Sequence, residues 1–272
     1  MNNIFKLDRN KLGSQRAQKV STALFVLIAK RRIVSFFTSL VLVLGLAMPA
    51  TTFADTIAMI GTGSVGSALG PRFASIGHQI VYGSRSPDSE KVMALVEATG
   101  NEASATTPAA AVRQADIVVL ALPWAVAEEV VIGLGDLSGK IIIDPINPRI
   151  IDDEGWADYP TYTSNAERIQ ILAPNAMVVK AFSTISVDTM IDPTLVDHPI
   201  TIPLVGNDSE AKEVVAEICE ALGFETMDFG PVRYAHILEG LYLLRGNARL
   251  YDNYFEWNFP ASKRGNFSGR KP

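Results

Sequence analysis

The glycines at positions 61, 63 and 66 have the spacing G-x-G-x-x-G, which serves phosphate binding when a strand precedes it and a helix follows. The first glycine permits a tight turn, the second lets a pyrophosphate approach the backbone, and the third allows close helix–strand packing. Backbone N–H groups at the start of the helix then hold the phosphates. The predicted pyrophosphate-binding residues are Gly61, Thr62, Gly63, Ser64, Val65 and Gly66.

Ser84 and Arg85 stand where a dinucleotide site distinguishes its cofactors. NAD sites usually carry an acidic residue about 20 residues beyond the glycines, which binds the ribose 2′-hydroxyl. A guanidinium beside a hydroxyl instead suits a 2′-phosphate, so NADP is favoured as the cofactor. The competing interpretation is that Arg85 is a solvated loop residue, with Asp88 close by.

The residues around the glycines predict a strand, a turn, a helix and a second strand in one unit. Residues 56–60 form a short apolar run typical of a buried parallel strand, and residues 78–82 form the next one after Gly77. We expect a kink at Gly70-Pro71, because a proline inside a helix removes a backbone hydrogen bond. The predicted fold class is α/β, a Rossmann-type doubly wound and mainly parallel sheet with a small C-terminal extension.

Three further apolar runs, residues 116–122, 140–144 and 177–182, are predicted as buried strands of the same sheet. Ligands bind outside the carboxyl ends of such strands, so the residues that follow them are candidates for the site. Trp124 covers a nicotinamide or simply packs. Asn147 binds the cofactor or shapes its turn. Lys180 is either a catalytic base or a side chain whose ammonium group reaches solvent.

The charge of the chain is distributed unevenly. Residues 1–54 contain eight of the 24 Lys and Arg residues but only one of the 29 acids, so the remainder holds 16 bases and 28 acids, a net charge of −12. Such an acidic body excludes nonspecific binding to nucleic acid, which needs clustered positive charge. The single cysteine, Cys219, excludes an internal disulfide, fits no Cys/His zinc spacing and is predicted to be a small core residue.

The first 54 residues resemble an export signal. A basic region ends at residues 30–32, an apolar stretch covers residues 33–50, and small residues precede a cleavage position before Asp55. Export, to the periplasm in a bacterium, is therefore expected, and the paired arginines leave a twin-arginine route open. The alternative is an uncleaved membrane anchor, since 18 apolar residues approach the length of a bilayer span. Membrane contact is expected only in that case.

Four segments follow from these patterns. A helical pattern over residues 209–222 lies between two apolar runs, which predicts a strand–helix–strand unit beyond the first sheet. The segments are an export leader over 1–54, an NADP-binding Rossmann domain over 55–185, a smaller C-terminal α/β part over 186–260 and a disordered tail over 261–272.

Several ordered motifs together resemble one known family. The chain is similar to the NADPH-dependent oxidoreductases of the deazaflavin coenzyme F-420, whose dinucleotide domain is shared with pyrroline-5-carboxylate reductases. The motifs that carry the resemblance are IGTGSVG (60–66), GHQIVYGSR (77–85), DPINP (144–148), SNAERI (164–169), VVKAFSTI (178–185) and DFGPVRYAHILEG (228–240).

The resemblance implies that different residues bind the pyrophosphate, the 2′-phosphate and the nicotinamide. Residues 61–65 would hold the pyrophosphate and Ser84 with Arg85 the 2′-phosphate, while Leu122, Pro123 and Ala181 to Thr184 would flank the nicotinamide. The chain departs from the family at Ser183, where the family has Asn, and at His236, where it has Arg. The pocket candidates on the substrate side are Trp124, Ser183 and His236.

The implied activity is hydride transfer between NADPH and a flavin-like or deazaflavin acceptor, a small molecule. Such a reaction asks mainly for alignment, which agrees with a sequence that has no evident catalytic triad or metal cluster. A non-catalytic NADP-binding sensor or assembly subunit is the first alternative. An imine reductase of the pyrroline type is the second, disfavoured by the short stretch after Gly230. Electron delivery to a membrane partner and a homodimer are left open.

Overall fold

The computed structural model describes residues 55–260, so the predicted leader (1–54) and tail (261–272) lie outside the described residues. Short apolar runs form most of its strands, as is typical of a sheet covered on both faces. The strands are β1 (Thr56–Ile60), β2 (Gln79–Gly83), β3 (Ser104–Thr106), β4 (Ile117–Leu120), β5 (Ile141–Asp144), β6 (Ile150–Ile151), β7 (Ala157–Asp158), β8 (Met177–Lys180), β9 (Thr201–Gly206) and β10 (Glu225–Asp228).

Helices connect most of these strands, as the alternating pattern predicts. The helices are α1 (Ser64–Ser75), α2 (Glu90–Thr99), α3 (Pro108–Arg113), α4 (Trp124–Ile132), α5 (Asn165–Leu172), α6 (Val187–Ile191), α7 (Ser209–Ala221) and α8 (Ala235–Ala248). Three short 3₁₀ turns occur at Pro193–Leu195, Val232–Tyr234 and Arg249–Tyr251. None of the helices in residues 55–260 is both long enough and apolar enough to cross a membrane.

Eight of the strands form one sheet with the order β10-β9-β8-β5-β4-β1-β2-β3. All neighbours are parallel except β8 and β9, which are antiparallel. The chain runs outward from β1 in one direction through β2 and β3 and then returns to continue through β4, so a crevice forms between β1 and β4 at their carboxyl ends. The predicted fold class is confirmed, and the part predicted over 186–260 continues the same sheet through β9 and β10.

Local sequence signals fix several helix ends. At the start of α5, Ser164 Oγ accepts a hydrogen bond from the Glu167 backbone N–H (3.1 Å), and Glu167 Oε2 accepts one from the Ser164 backbone N–H (3.1 Å). This reciprocal pair is a capping box, which requires a serine and a glutamate three residues apart. Helix α1 continues through Pro71 without a break in its assignment. Its Gly70 lies so close to β2 that a Cβ there would be 2.0 Å from the Tyr82 hydroxyl oxygen.

Apolar side chains fill both faces of the sheet, and Cys219 is fully buried among them, as predicted. Burial raises the pKa of its thiol, so it is an unreactive core residue. The polar segment over residues 149–163 contains the β6–β7 hairpin. Its β7 is held by α8, because Asn247 both accepts a hydrogen bond from the Ala157 N–H (2.7 Å) and donates one to the Ala157 carbonyl (3.0 Å). Because Asn247 lies 90 residues from Ala157 along the chain, no local sequence pattern indicates this contact.

Candidate functional site

The three glycines of the turn between β1 and α1 have different surroundings. Gly61 has φ +110°, and a Cβ there would lie 2.3 Å from the Ala121 carbonyl oxygen. At Gly66 a Cβ would lie 2.1 Å from the Gly61 carbonyl oxygen, whereas at Gly63 it would meet nothing within 4 Å. Gly61 and Gly66 are therefore required by the fold, while Gly63 faces open space. This is the division of roles that a dinucleotide turn needs.

The N-terminus of α1 opens into the same space. Gly63 is the N-cap residue with extended geometry, and no side chain caps the helix within the described residues. The first backbone N–H groups of a helix have no intrahelical partner, and the helix dipole makes this end attractive to anions. Ser64 and Val65 line the adjoining cavity. The end of α1 can thus receive a phosphate.

A cavity of about 770 Å³ lies at the carboxyl edge of the sheet. One wall is the glycine turn, and the next is the segment after β4, where Leu122, Pro123 and Trp124 line it. The loops after β5 and β8 contribute Asn147 and Ser183. The far wall comes from α6 and from the C-terminal end of α8. Sequence motifs that are far apart in the chain therefore meet at one site.

The end of β2 lies beside the glycine turn, because the Gly61 N–H donates to the Gly83 carbonyl (3.1 Å). Ser84 follows directly, with its N–H bound to the Thr106 carbonyl (2.9 Å) and its hydroxyl oxygen accepting from the Ser86 N–H (3.2 Å). Arg85 is exposed. The two residues predicted to bind a 2′-phosphate are therefore next to the predicted pyrophosphate turn, on the side away from α8.

Of the other predicted residues, Trp124 lines the cavity, whereas Ala181, Thr62 and His236 do not. Trp124, 36% exposed, lines the cavity and donates its indole N–H to the Arg149 carbonyl (3.0 Å). Ala181 is fully buried behind the cavity wall. Thr62 lies within the glycine turn and is partly exposed, but it does not line the cavity. His236 is exposed, with Nδ1 2.9 Å from the Arg233 carbonyl oxygen, and is not part of the cavity lining.

Asn147 and Ser183 form the polar part of the wall. The amide Nδ2 of Asn147 donates to the Ser183 carbonyl (2.7 Å), which joins the loops after β5 and β8. Asn147 Oδ1 and Ser183 Oγ are buried and have no hydrogen-bond partner within the described structure. Because an unpaired buried polar atom costs about 1–3 kcal/mol, these two atoms are candidates for binding a ligand.

The loop that carries Ser183 begins with a strained residue. Phe182 has φ +60°, a left-handed conformation that is rare for a bulky side chain. Its ring is fully buried and packs edge-on against Phe73 (5.9 Å between ring centroids) and Phe224 (6.2 Å). The packing of the ring holds the backbone turn that leads to Ser183. Strain of this kind persists where the surroundings fix the conformation, often at functional sites.

Lys180, the last residue of β8, is fully buried, so the expectation that its ammonium group reaches solvent is wrong. Its Nζ lies 3.0 Å from Asp144 Oδ2, 2.7 Å from Glu239 Oε1 and 2.5 Å from the Ile146 carbonyl oxygen. Burial lowers the pKa of Lys180, but the carboxylates of Asp144 and Glu239 outweigh burial and raise it overall. Lys180 is thus a buried cation that joins β5, β8 and α8, and it is not placed to act as a base.

Further hydrogen bonds complete this buried network. Asp144 Oδ1 accepts from the Asn165 amide (3.0 Å) and from the Ile146 N–H (2.9 Å). Glu239 accepts from the Asn165 N–H (3.0 Å) and from the Tyr159 hydroxyl. Burial raises the pKa of Glu239, against the opposing effect of Lys180. The network fixes Ile146, and so the loop that presents the neighbouring Asn147 to the cavity.

The sequence contained a signal for this network. Asp144, Lys180 and Glu239 each follow or interrupt an apolar run, a position in which a charge is buried only if it is paired. Three such charges in elements that converge on one sheet edge indicate an ionic cluster. Elsewhere in residues 55–260, His, Cys, Asp and Glu form no group suited to holding a metal ion.

The fold and this site define a class of protein, the Rossmann-type dinucleotide-binding oxidoreductases. A family model described as NADP oxidoreductase, coenzyme F420-dependent, matches residues 56–148. The F420-dependent NADP reductase of Methanothermobacter thermautotrophicus is 31% identical over 201 residues, which cover 67% of this chain and 84% of that protein. The chain belongs to the F420-dependent NADP reductase family.

Two other relatives add to this assignment. The crystal structure of a provisionally assigned F420-dependent NADP reductase from Arthrobacter sp. FB24 has 26% identity and a TM-score of 0.69, covering 77% of this chain and all of that one. Metalloreductase STEAP3 of Rattus norvegicus is 28% identical over 191 residues, or 69% of this chain. The chain spans only about a third of the length of that metalloreductase (36%). The chain is thus similar both to proteins named F420-dependent NADP reductases and to a protein named a metalloreductase.

Proposed function

We propose that this protein transfers a hydride from NADPH to a flavin-like or deazaflavin acceptor. The observation that supports the proposal best is the single cavity that joins the glycine turn to the loop after β8. One end of the cavity offers backbone N–H groups for a pyrophosphate, and the other is large enough for a second ring system. Two substrates can therefore meet within it.

The proposed cofactor contacts follow the geometry of the site. Gly63 to Val65 bind the pyrophosphate through the N-terminus of α1, and Ser84 with Arg85 bind the 2′-phosphate. Leu122, Pro123, Phe182 and Ser183 line the cavity and would flank the nicotinamide, which supplies the hydride when NADPH is bound, while Ala181 supports them from behind.

The unpaired atoms of the cavity wall support this arrangement. Asn147 Oδ1 would be available to accept a hydrogen bond from the carboxamide of the nicotinamide, and the Ser183 hydroxyl would be available to donate one to a bound ligand. The exposed indole of Trp124, which lines the cavity, would cover the ring from the side of β4. For the hydride itself the protein supplies alignment, which is sufficient for its transfer between two ring systems.

The test is NADPH oxidation by the purified protein with three kinds of acceptor: a deazaflavin, FMN and a small cyclic imine. We expect turnover with the deazaflavin and FMN, and a Gly63→Ala variant should have a raised KM for NADPH because its methyl group occupies the space proposed for the pyrophosphate. Turnover with the imine alone would identify an imine reductase. Tight NADP binding without turnover of any acceptor would identify a sensor or assembly subunit and defeat the proposal.

We also propose that the protein is exported and cleaved before Asp55. The support is the basic region, apolar stretch and small residues of positions 1–54. Intact-mass measurement of the protein recovered from a bacterial periplasm tests this. A mass that begins at Asp55 supports cleavage. A mass that retains residues 33–50 would instead indicate a membrane anchor, and electron delivery to a membrane partner would become the better interpretation.

A further inference from the structure

A buried carboxyl group lies behind the far wall of the cavity. It belongs to Glu256, in the segment after α8, which is 8% exposed and does not line the cavity itself. Its Oε1 accepts hydrogen bonds from the Thr189 hydroxyl (3.0 Å), the Ser186 backbone N–H (3.1 Å) and Arg245 Nη1 (3.3 Å). These contacts join the C-terminal segment to α6 and α8, so the carboxyl group has a fixed position beside the cavity.

Two hydroxyl groups connect this carboxyl group to the cavity. Thr189 Oγ1 lies 3.0 Å from Glu256 Oε1 and 2.7 Å from Ser186 Oγ. Thr189 is buried, whereas Ser186 is partly exposed and lines the cavity. A hydroxyl group can donate and accept at the same time, so a proton can pass along the series Ser186, Thr189 and Glu256. We call this series the hydroxyl path.

Helix capping and anchoring explain only part of the hydroxyl path. Ser186 Oγ accepts from the Thr189 N–H (3.2 Å), which is the N-cap contact of α6, and the Thr189 hydroxyl can also donate to the Ser186 carbonyl (2.9 Å). Neither contact requires a buried carboxyl group, which is costly unless it is paired. Arg245 pairs with Oε1 of Glu256, but Oε2 is buried without a hydrogen-bond partner within the described residues. A group that served only as an anchor would use both oxygens.

The hydroxyl path opens on the acceptor side of the cavity. The loop after β8 carries Ser183 next to the proposed nicotinamide position and reaches Ser186 at the start of α6. Helix α6 belongs to the far wall, where the second ring system is proposed to lie. Ser186 is therefore placed to contact the acceptor rather than the glycine turn.

Reduction of the proposed acceptor consumes a proton as well as a hydride. When a flavin or deazaflavin ring takes a hydride, the ring gains an electron pair, and negative charge collects on a ring nitrogen. That nitrogen binds one proton, so NADPH, H⁺ and the oxidised acceptor give NADP⁺ and the reduced acceptor. NADPH gives up only the hydride, so the proton has to come from the protein or from water. A proton donor placed at the ring typically accelerates such a step by about 10²–10⁴-fold.

We propose that the hydroxyl path delivers this proton to the acceptor ring through Ser186 as the hydride arrives. The inference deepens the proposed hydride transfer and rests on it. The Ser186 O–H bond breaks while the ring N–H bond forms, Thr189 passes its hydroxyl proton to Ser186, and the carboxylic acid form of Glu256 passes its proton to Thr189. Glu256 is left as a carboxylate paired with Arg245, and it takes up a proton from water before the next turnover. Oxidation of the reduced acceptor by NADP⁺ uses the same path in reverse.

Single-turnover reduction of 5-deazariboflavin by NADPH, in ordinary and in heavy water, tests the inference. The wild-type rate constant should be larger in ordinary water, because the proton moves together with the hydride. Thr189→Val keeps the size of the side chain and removes its hydroxyl, so it should lower the rate constant about tenfold or more and abolish the difference between the two solvents. Thr189→Ser keeps a hydroxyl and should retain both properties. Equal wild-type rate constants in the two solvents would overturn the inference.

A lower rate constant alone is not sufficient, because loss of the hydroxyl also removes contacts within α6. If Thr189→Val is slower but keeps the wild-type solvent isotope effect, Thr189 only positions α6, and the inference is wrong. Thr194→Val is the matched control, because Thr194 also donates to a carboxylate, that of Asp192 (2.6 Å), but neither residue lines the cavity. It should leave the rate constant and the isotope effect unchanged. An isotope effect that Thr194→Val also abolishes would not belong to the hydroxyl path.

Glu256→Gln extends the test to the end of the path. A glutamine keeps the size of the side chain but cannot release a proton, so this variant should behave as Thr189→Val does in both measurements. A wild-type rate constant and isotope effect in Glu256→Gln would exclude Glu256 as the proton source and refute the inference.

Failure of the proposed function gives a different result. If NADPH reduces neither 5-deazariboflavin nor FMN with the wild-type protein, the proposed hydride transfer is refuted and the inference falls with it. If the ring is reduced without a solvent isotope effect, the hydride transfer stands and only the hydroxyl path is refuted.

Discussion

The ammonium nitrogen of Lys180 lies 2.7 Å from Oε1 of Glu239, and both side chains are fully buried. The first residue ends the central strand β8, and the second belongs to α8, which forms the far wall of the cavity. The same ammonium group binds Asp144 of β5 and the Ile146 carbonyl. One cation therefore holds together the three segments that present Asn147, Ser183 and Arg245 to the cavity.

Removing this cation should destabilise the fold strongly. In Lys180→Met the carboxylates of Asp144 and Glu239 lose their buried counterion, which costs about 3–5 kcal/mol. Urea unfolding measures the loss. Adding Glu239→Gln to Lys180→Met should recover part of it, because one of the two unpaired charges is then absent. A Lys180→Met variant as stable as the wild type would contradict the network.

The pH dependence of the free energy of unfolding should reveal the titration of Glu239. Its pKa is raised in the folded protein by burial, so its contribution to stability is present below the unfolded value of about 4.5 and is lost as pH rises through the folded pKa. The free energy of unfolding of the wild type should therefore fall over that interval relative to Glu239→Gln, which cannot titrate. Urea unfolding from below pH 4.5 to neutral pH checks this, and parallel curves for the two proteins would rule it out.

Lys180 should affect the free energy of unfolding at alkaline pH. Its folded pKa is raised above 10.5, so its contribution is full below that pH and is lost as pH rises through the folded value. Alkaline unfolding should be steeper in the wild type than in Lys180→Met. Exposed Lys91 provides the control, since Lys91→Met should leave the alkaline limb unchanged.

The glycine turn allows folding and cofactor binding to be separated. Gly63→Ala should cost less than about 1 kcal/mol of stability, because a methyl group there meets no protein atom within 4 Å, yet it should weaken NADPH binding about tenfold or more. Gly66→Ala should instead destabilise by about 1–3 kcal/mol through its clash with the Gly61 carbonyl. Thermal unfolding and NADPH titration of both variants test the distinction. Equal NADPH affinity in Gly63→Ala and the wild type would exclude the proposed pyrophosphate position.

Cofactor choice should depend on Arg85. Arg85→Ala should raise the KM for NADPH about tenfold and leave the KM for NADH nearly unchanged, because only NADPH has the 2′-phosphate. Arg113→Ala, another exposed arginine, is the control. Steady-state kinetics with both cofactors decide the matter. If the KM values for NADPH and NADH rise together, Arg85 attracts both cofactors and does not discriminate between them.

Local patterns were sufficient to predict the cofactor half of the molecule. Strand β1 has the predicted bounds, β2 and β5 begin within one residue of theirs, and the capping box at Ser164 needed only residues three apart. The spacing of Gly61, Gly63 and Gly66 predicted roles that the space around each glycine now explains.

Features that depend on distant contacts could not be read in this way. The apolar runs around Asp144, Lys180 and Glu239 signalled buried charges but not which of them pair, because the partners of Lys180 lie on other strands and helices. The lysine taken alone therefore suggested solvent exposure. The β6–β7 hairpin depends on Asn247 of α8, and short helix α6 carried no predicted pattern. The hydroxyl path was missed for the same reason, because Ser186 and Glu256 meet only after the sheet has formed.

The origin of the two cavity walls in different halves of the chain makes the protein modular. The wall that we assign to the pyrophosphate and to the β4 side of the nicotinamide comes from residues before 125, whereas α6, α8 and the segment after α8 build most of the opposite wall. Selection can therefore alter one end of the cavity while the nucleotide signature stays constant. A chimera that exchanges residues 231–260 with a relative should transfer acceptor preference without changing the affinity for NADPH.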